Sequence, residues 1–140
     1  MFKILMTLSL FISFLIPQEL LVVADTNFPV QSLTKEKIKA IFLDKKRFIN
    51  SQQILVMNYE YNHPLRSCFE ENILEKTPRA LQKYWRRAYY KGKRPPKVLK
   101  SVAMLFSFFE TVQPSIGYMD ANLSNDRNVT ILYSVRCDTK

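Results

Sequence analysis

The chain has 140 residues, of which 47% are hydrophobic and 13% aromatic, and it carries a formal net charge of +9. This length suits one domain, and the apolar content exceeds what a disordered, solvated chain carries. The two glycines, Gly92 and Gly117, lie too far apart for a P-loop or a dinucleotide-binding turn, which excludes both nucleotide motifs. The positive charge favours anionic partners: phosphate groups, nucleic acid or an acidic membrane surface.

Residues 1–17 are typical of a secretory signal peptide. Lys3 precedes an apolar run, Ile4–Ile16, whose 13 residues fall short of the roughly 20 that cross a bilayer as a helix. Because Pro17 ends the run without a small-x-small cleavage motif, an uncleaved membrane anchor and a buried N-terminal helix stay open as alternatives. We expect an exported, periplasmic protein, with its domain at residues 18–134 and a C-terminal tail at residues 135–140.

The two cysteines, Cys68 and Cys137, allow two interpretations in an oxidising compartment. They can pair and tie the C-terminal tail to the domain, or Cys68 can be a small buried apolar residue and Cys137 a free thiol. No CxxC motif or partnering histidine accompanies them, so neither a zinc site nor a redox motif fits. We expect no metal and no cofactor.

The first half of the domain alternates between strand and helix patterns. Leu20–Ala24 is a continuous apolar run that predicts a strand buried on both faces. Thr34 is typical of a helix N-cap, and the side chains that follow place an apolar stripe on one face of that helix. Ile54–Met57 predicts the second buried strand.

Proline and hydroxyl residues mark the helices of the second half. Pro64 occupies a first helical position after a cap at Asn62 or His63, and Thr77-Pro78 repeats that arrangement. Ser101 caps a last helix with apolar residues at helical spacing. The segments 116–119 and 129–133 predict the closing strands, so the whole pattern predicts one α/β domain.

Three loops are candidates for ligand binding, because ligands in open α/β sheets bind beyond the strand ends and against helix N-termini. Asp25-Thr26-Asn27 follows the first strand, and residues 62–66 follow the second. The latter loop places the Arg66 guanidinium on the first turn of its helix. Ser101 opens the last helix. Ordinary helix capping explains each of these loops taken alone.

Together these elements resemble the short, exported members of the phosphate-type periplasmic substrate-binding protein family of ABC importers. The resemblance extends from Leu20 to Tyr118 and depends on the order and spacing of the segments rather than on one diagnostic motif. The matching segments are residues 21–30, Ser32-Leu33-Thr34, Ile41-Phe42-Leu43, the strand into Asn58, Leu65-Arg66-Ser67-Cys68-Phe69 with Ile73-Leu74, Tyr84-Trp85, Gly92 with Pro95-Pro96, Ser101 with its apolar helix, and Pro114-Ser115-Ile116-Gly117-Tyr118.

The resemblance implies a type II periplasmic-binding-protein-like α/β domain, a single or trimmed lobe, that binds phosphate or a similar small oxyanion without catalysis. It implies Arg66 as the charged ligand and Thr26 and Ser101 as hydroxyl donors. His63 departs from the family pattern; we expect it to supply the remaining contacts together with the helix N-terminus after it, with a blocked pocket as the alternative. An inner-membrane transporter or sensor is the implied protein partner. The chain has Asn62-His63 where family members have Gly-Ser, which removes a hydroxyl donor from the expected site.

Other functions fit parts of the sequence. A domain of this fold that has lost its ligand would act as an interaction or sensor partner, and the altered Asn62-His63 loop favours that alternative. The cations and aromatic residues of segment 83–100 are typical of a surface for polyanions or anionic membranes, although export argues against nucleic acid as the partner. Catalysis has the least support, because His63 is the single histidine and no triad or nucleophile elbow is present.

Overall fold

A computed structural model describes residues 18–124 and 127–137; the expected signal segment, residues 1–17, and residues 138–140 lie outside the described residues. The elements in chain order are β1 (Gln18–Ala24), α1 (Lys35–Phe42), β2 (Phe48–Ile49), β3 (Gln52–Gln53), β4 (Leu55–Tyr59), α2 (Pro64–Phe69), a π-helical turn (Glu70–Leu74), α3 (Pro78–Tyr90), β5 (Lys97–Leu99), α4 (Val102–Thr111), β6 (Ser115–Asp120), a 3-10 turn (Ala121–Leu123) and β7 (Thr130–Cys137). The predicted α/β architecture is confirmed.

The five main strands form one mixed sheet in the order β5-β4-β6-β1-β7, and β2 and β3 form a separate small hairpin. Strand β4 is parallel to β5 and β6, whereas β1 is antiparallel to both β6 and β7. The carboxyl ends of β4, β5 and β6 therefore share one end of the sheet, and β1 ends at the other.

Helices cover both faces of β6, one of the central strands. The Tyr118 ring stacks on Phe69 of α2 at 4.2 Å, and Phe69 contacts Phe42 of α1 at 4.5 Å. The preceding residue, Gly117, points to the opposite face, because successive strand residues alternate. A Cβ added there would lie 2.5 Å from the Leu105 side chain of α4. Glycine at this position lets α4 approach the sheet closely.

Strand β7 is longer than the sequence predicts. Residues 135–137, expected to begin the C-terminal tail, continue the strand, where Val135 pairs with Leu20 and Cys137 with Gln18 of β1. Val135, Arg136 and Cys137 alternate between apolar and polar side chains, which is typical of an edge strand with one face buried. Pairing with β1 keeps these residues in the sheet.

Cys137 is bonded to Cys68, and the two Cα atoms lie 5.4 Å apart. Of the two interpretations that the sequence leaves open, the structure has the paired one. The bond joins the edge strand β7 to helix α2, across 69 positions of sequence. In the described part of the chain, no helix combines the length and hydrophobicity needed to cross a bilayer.

The disulfide generates a stability prediction. Replacing both cysteines, Cys68→Ser with Cys137→Ser, should lower the free energy of unfolding by about 4 kcal/mol, because closing a loop of this length restricts the unfolded chain. Urea unfolding of the oxidised protein and the double variant measures the difference. As a control, alkylation without reductant should leave both cysteines of the native protein unmodified; two labelled thiols would contradict the bond.

Candidate functional site

Three of the four expected ligand residues lie at one end of the sheet. Tyr59 at the end of β4 pairs with Leu99 at the end of β5. His63 and Arg66 follow β4, and Ser101 is the second residue after the end of β5. Because these two strands are parallel, the loops that leave them meet at the same end.

The fourth residue, Thr26, lies at the opposite end. Ala24 of β1 pairs with Ile116, which also pairs with Val56 of β4. Ala24, Ile116 and Val56 therefore lie side by side in the sheet. From there β4 runs three residues to Tyr59, whereas β1 runs two residues in the opposite direction to Thr26. The loop after β4 and the loop after β1 are therefore roughly 16 Å apart along the strand direction. The expectation of one site shared by all four residues is therefore wrong. The two loops lie at opposite ends because β1 is antiparallel to β6, whereas β4 is parallel to β6.

The loop after β1 has a structural role. The buried carboxylate of Asp25 accepts the Ser115 N–H at 2.8 Å through Oδ1 and the Asn27 N–H at 3.1 Å through Oδ2. The Asp25 carbonyl accepts the Thr130 hydroxyl at 2.9 Å. These bonds join β1, β6 and β7 at this end of the sheet and leave Thr26 exposed beside them.

His63 is the N-cap of α2. Its Nδ1 accepts the Leu65 N–H at 3.2 Å, and its ring stacks on the Tyr59 ring at 4.2 Å. With Nδ1 as acceptor, the neutral ring carries its proton on Nε2. Pro64 has no N–H, and the Arg66 N–H donates to the His63 carbonyl at 3.0 Å. The first-turn amides expected to hold an oxyanion thus have partners within the loop and helix.

Arg66 is held in a fixed, half-buried position. Its Nε donates to Glu70 Oε1 at 2.8 Å, and its Nη1 donates to the Tyr59 carbonyl at 2.8 Å. The Glu70 side chain is only 7% exposed, so the guanidinium balances a buried charge. A guanidinium has five N–H donors, and in the described part of the chain these two bonds occupy two of them. Arg66 keeps donor capacity for a further acceptor.

Arg66 borders a cleft of about 560 Å³ between α2 and α3, here called the α2–α3 cleft. Its lining contains two cations, Arg66 and Arg79, and one carboxylate, Glu70, together with aromatic and apolar walls. The full lining is Tyr61, Arg66, Glu70, Pro78, Arg79, Leu81, Gln82, Trp85 and Pro95. Sequence reasoning missed Arg79, and Trp85, which is half-buried and packs against the core, also lines the cleft. One sequence feature could have indicated Arg79. Thr77-Pro78 marks the start of α3 and so places Arg79 in the first turn of that helix.

Ser101 caps α4 and stays outside this cleft. Its Oγ accepts the Met104 N–H at 3.3 Å, and the residue is exposed. Ordinary capping therefore accounts for its side-chain bond. Among residues 18–124 and 127–137, no group of three or more His, Cys, Asp or Glu side chains is arranged to hold a metal ion.

A buried tyrosine pair lies beneath the site. The Tyr118 hydroxyl donates to the Asn58 Oδ1, and the Tyr59 and Tyr118 rings meet edge to face at 5.2 Å. Burial raises the pKa of Tyr59 to about 12 and raises the pKa of Tyr118 further. Both phenol groups therefore keep their protons well into the alkaline range.

The fold is similar to three solved structures of phosphate-transport proteins. They are an ABC-type phosphate transport receptor from Vibrio cholerae (TM-score 0.63, 20% identity), a structure described as a phosphate ABC transporter substrate-binding protein with bound phosphate, from Clostridium perfringens (0.66, 20%), and PstS from Borrelia burgdorferi (0.61, 17%). The likeness confirms the expected periplasmic-binding-protein-like fold.

Each alignment covers 82% of this chain but only 44–46% of the other structure. The chain thus spans less than half the length of these proteins. No family model and no curated protein matches the sequence.

The buried tyrosines generate a prediction about alkaline pH. In the unfolded chain both phenols ionise near pH 10, whereas in the folded protein Tyr59 keeps its proton to about pH 12 and Tyr118 beyond that. The unfolded state therefore binds fewer protons in this range, so the free energy of unfolding falls as pH rises from about 10 to about 12, by about 1.4 kcal/mol per pH unit for each phenol.

Tyrosinate absorbance of the native protein checks this directly. The absorbance titration of the wild type minus that of Tyr59→Phe should show one ionisation near pH 12. The wild-type titration minus that of Tyr118→Phe should show no ionisation below that pH. A difference signal that develops near pH 10 in either pair would contradict the burial of that phenol.

Proposed function

We propose that this protein is a substrate-binding protein that binds phosphate, or a similar small oxyanion, in the α2–α3 cleft, and that it is not an enzyme. The observation that carries the proposal is Arg66, whose guanidinium is fixed at the border of the cleft with donors to spare. The similar fold of proteins described as phosphate receptors supports the choice of ligand class.

The charges of the cleft suit an anion. Arg66 and Arg79 oppose the single carboxylate of Glu70, so the lining keeps one net positive charge. Charge-assisted bonds from a guanidinium to an oxyanion are shorter and stronger than neutral ones. Because Glu70 and the Tyr59 carbonyl already orient Arg66, little side-chain freedom is lost when an anion binds.

The exposure of lining residues such as Tyr61, Arg79 and Gln82 predicts weak capture by the cleft as it stands in this domain. An open cleft leaves part of the bound anion in water, where the high dielectric weakens each ionic bond. A second copy or a partner protein that covers the cleft would strengthen binding, and an inner-membrane transporter or sensor is the partner we propose. We place the protein in the periplasm, and the Cys68–Cys137 disulfide supports an oxidising compartment.

A second candidate function is a ligand-free interaction protein of the same fold. The observation in its favour is the internal pairing at α2, where His63 caps the helix and Glu70 balances Arg66. Such pairing lets the loop stay folded without an anion. The two candidates differ in whether phosphate binds at all.

Glu70 and Arg66 supply the decisive variants. Glu70→Gln should raise phosphate affinity several-fold, because it removes the carboxylate beside the expected anion and frees the Arg66 Nε donor. The double variant Arg66→Gln/Glu70→Gln should lose binding while keeping the fold, because no buried charge is left alone. Arg66→Gln by itself is a poor test, since an unpaired buried Glu70 costs about 3 kcal/mol or more.

Calorimetric titration with phosphate, at constant ionic strength and with sulfate in parallel, measures these effects. Arg136→Gln, an exposed cation on β7, is the control with equal loss of positive charge and should bind like the wild type. Unchanged affinity in the double variant would remove Arg66 from the site. No heat from the wild type with either anion would favour the ligand-free interaction protein.

A further inference from the structure

The whole net positive charge of the chain comes from one segment. Residues 76–109 contain ten cations and no carboxylate, whereas the rest of the chain has eleven cations and twelve carboxylates. The ten are Lys76, Arg79, Lys83, Arg86, Arg87, Lys91, Lys93, Arg94, Lys97 and Lys100. Within the described ranges, none of them forms a salt bridge; the three pairs present involve Lys39, Arg47 and Arg66. Their charge is therefore available to a partner.

Part of this charge lies in a line on the outward face of α3. Arg79, Lys83, Arg86 and Tyr90 recur at i, i+4, i+7 and i+11, which places them on one helical stripe, and all four are exposed. The stripe is about 17 Å long at 1.5 Å per residue. Tyr90, at its end, is 88% exposed, and the adjacent Tyr89 is 59% exposed.

A hollow of about 220 Å³ adjoins the stripe at the C-terminal end of α3, here called the basic hollow. Four cations line it and no carboxylate does; the lining is Lys45, Tyr84, Arg87, Ala88, Lys91 and Lys93. Tyr84 is fixed there, since its hydroxyl donates to the Leu43 carbonyl at 2.6 Å. The Lys45 ammonium lies 5.9 Å from the Tyr84 ring centre. Several waters or one phosphate group would fit this volume.

The basic hollow is separate from the α2–α3 cleft. One flank of α3, together with the residue after the helix, lines the hollow with Tyr84, Arg87 and Lys91. The other flank lines the cleft with Pro78, Gln82 and Trp85. No residue lines both cavities, and Arg79 is the one residue of the stripe that also lines the cleft. Binding at the hollow therefore does not depend on the proposed function.

We propose that the outward stripe of α3 and the basic hollow bind the surface of an anionic phospholipid bilayer. A headgroup phosphate would occupy the hollow, and Tyr89 and Tyr90 would lie at the level of the headgroups. Unpaired cations along a helix are attracted to anionic lipid, and exposed tyrosines are enriched at the membrane–water interface.

The structure favours a lipid surface over single-stranded nucleic acid. A stacking platform needs open aromatic faces between the cations. Tyr84 and Trp85 are half-buried against each other at 5.0 Å, and the Arg94 guanidinium covers the Tyr89 ring at 4.5 Å. The charge is thus presented as a row on a helix rather than around stacking sites.

Vesicle sedimentation of the full chain tests the proposal. Binding to vesicles of phosphatidylcholine with phosphatidylglycerol is compared with binding to phosphatidylcholine alone, which corrects for any contribution of the N-terminal apolar run. The triple variant Arg86→Gln/Arg87→Gln/Lys91→Gln should partition into the anionic vesicles roughly a hundredfold less, since each cation near such a surface contributes roughly a factor of five.

A matched variant separates a specific surface from net charge. Lys35→Gln/Lys37→Gln/Arg136→Gln removes the same charge outside the segment and should change partitioning only a few-fold. Equal losses in the two triple variants, or binding that does not depend on phosphatidylglycerol, would overturn the proposal. Displacement by inorganic phosphate at constant ionic strength would make the hollow a free-phosphate site instead. If the protein bound polyglutamate as tightly as anionic vesicles, and the triple variant Arg86→Gln/Arg87→Gln/Lys91→Gln lost that binding, the partner would be an acidic protein rather than a lipid surface.

Discussion

Strand β1 runs antiparallel to both of its neighbours, and this direction decides which loops of the domain can act together. Its residues Leu20–Ala24 are buried between β6 and β7, so its position is fixed along its length. At its end the Asp25 carboxylate accepts the Ser115 N–H of β6 and the Asn27 N–H of its own loop, and the Asp25 carbonyl accepts the Thr130 hydroxyl of β7. The loop with Thr26 therefore lies at one end of the sheet, and of the three candidate loops only those after β4 and β5 lie at the other.

At that other end, internal pairing changes what the chain can offer an anion. His63 and the backbone around it satisfy the first amides of α2, so the helix terminus no longer presents free N–H groups. Hydrogen bonds to an anion at this end must therefore come from side chains, above all from the remaining N–H donors of Arg66. Glu70 both orients this guanidinium and reduces its charge, so the same contact that preorganises the site also weakens its attraction for an anion.

Helix α3 carries the rest of the chemistry and divides it between its flanks. One flank forms a wall of the α2–α3 cleft, which has one net positive charge, while the other borders the basic hollow with its four cations. The large positive charge of the chain therefore lies mainly away from the proposed oxyanion site. A small soluble anion and an extended anionic surface would be recognised by different sides of one helix.

The sequence by itself determined the four helices and the strands β1, β4, β6 and β7, because hydrophobic periodicity and helix capping are local. The apolar run Leu20–Ala24 predicted β1, and Thr34 and Ser101 were recognised as the caps that the structure shows. The pattern of elements predicted an α/β domain, and the resemblance added the periplasmic-binding-protein-like fold. The N-cap of α2 was narrowed to Asn62 or His63, and the structure has His63. Only the tertiary structure decided strand direction, the burial of Glu70 beside Arg66, and the cysteine pairing, because each depends on contacts between residues brought together by the sheet and its helices rather than on neighbouring sequence.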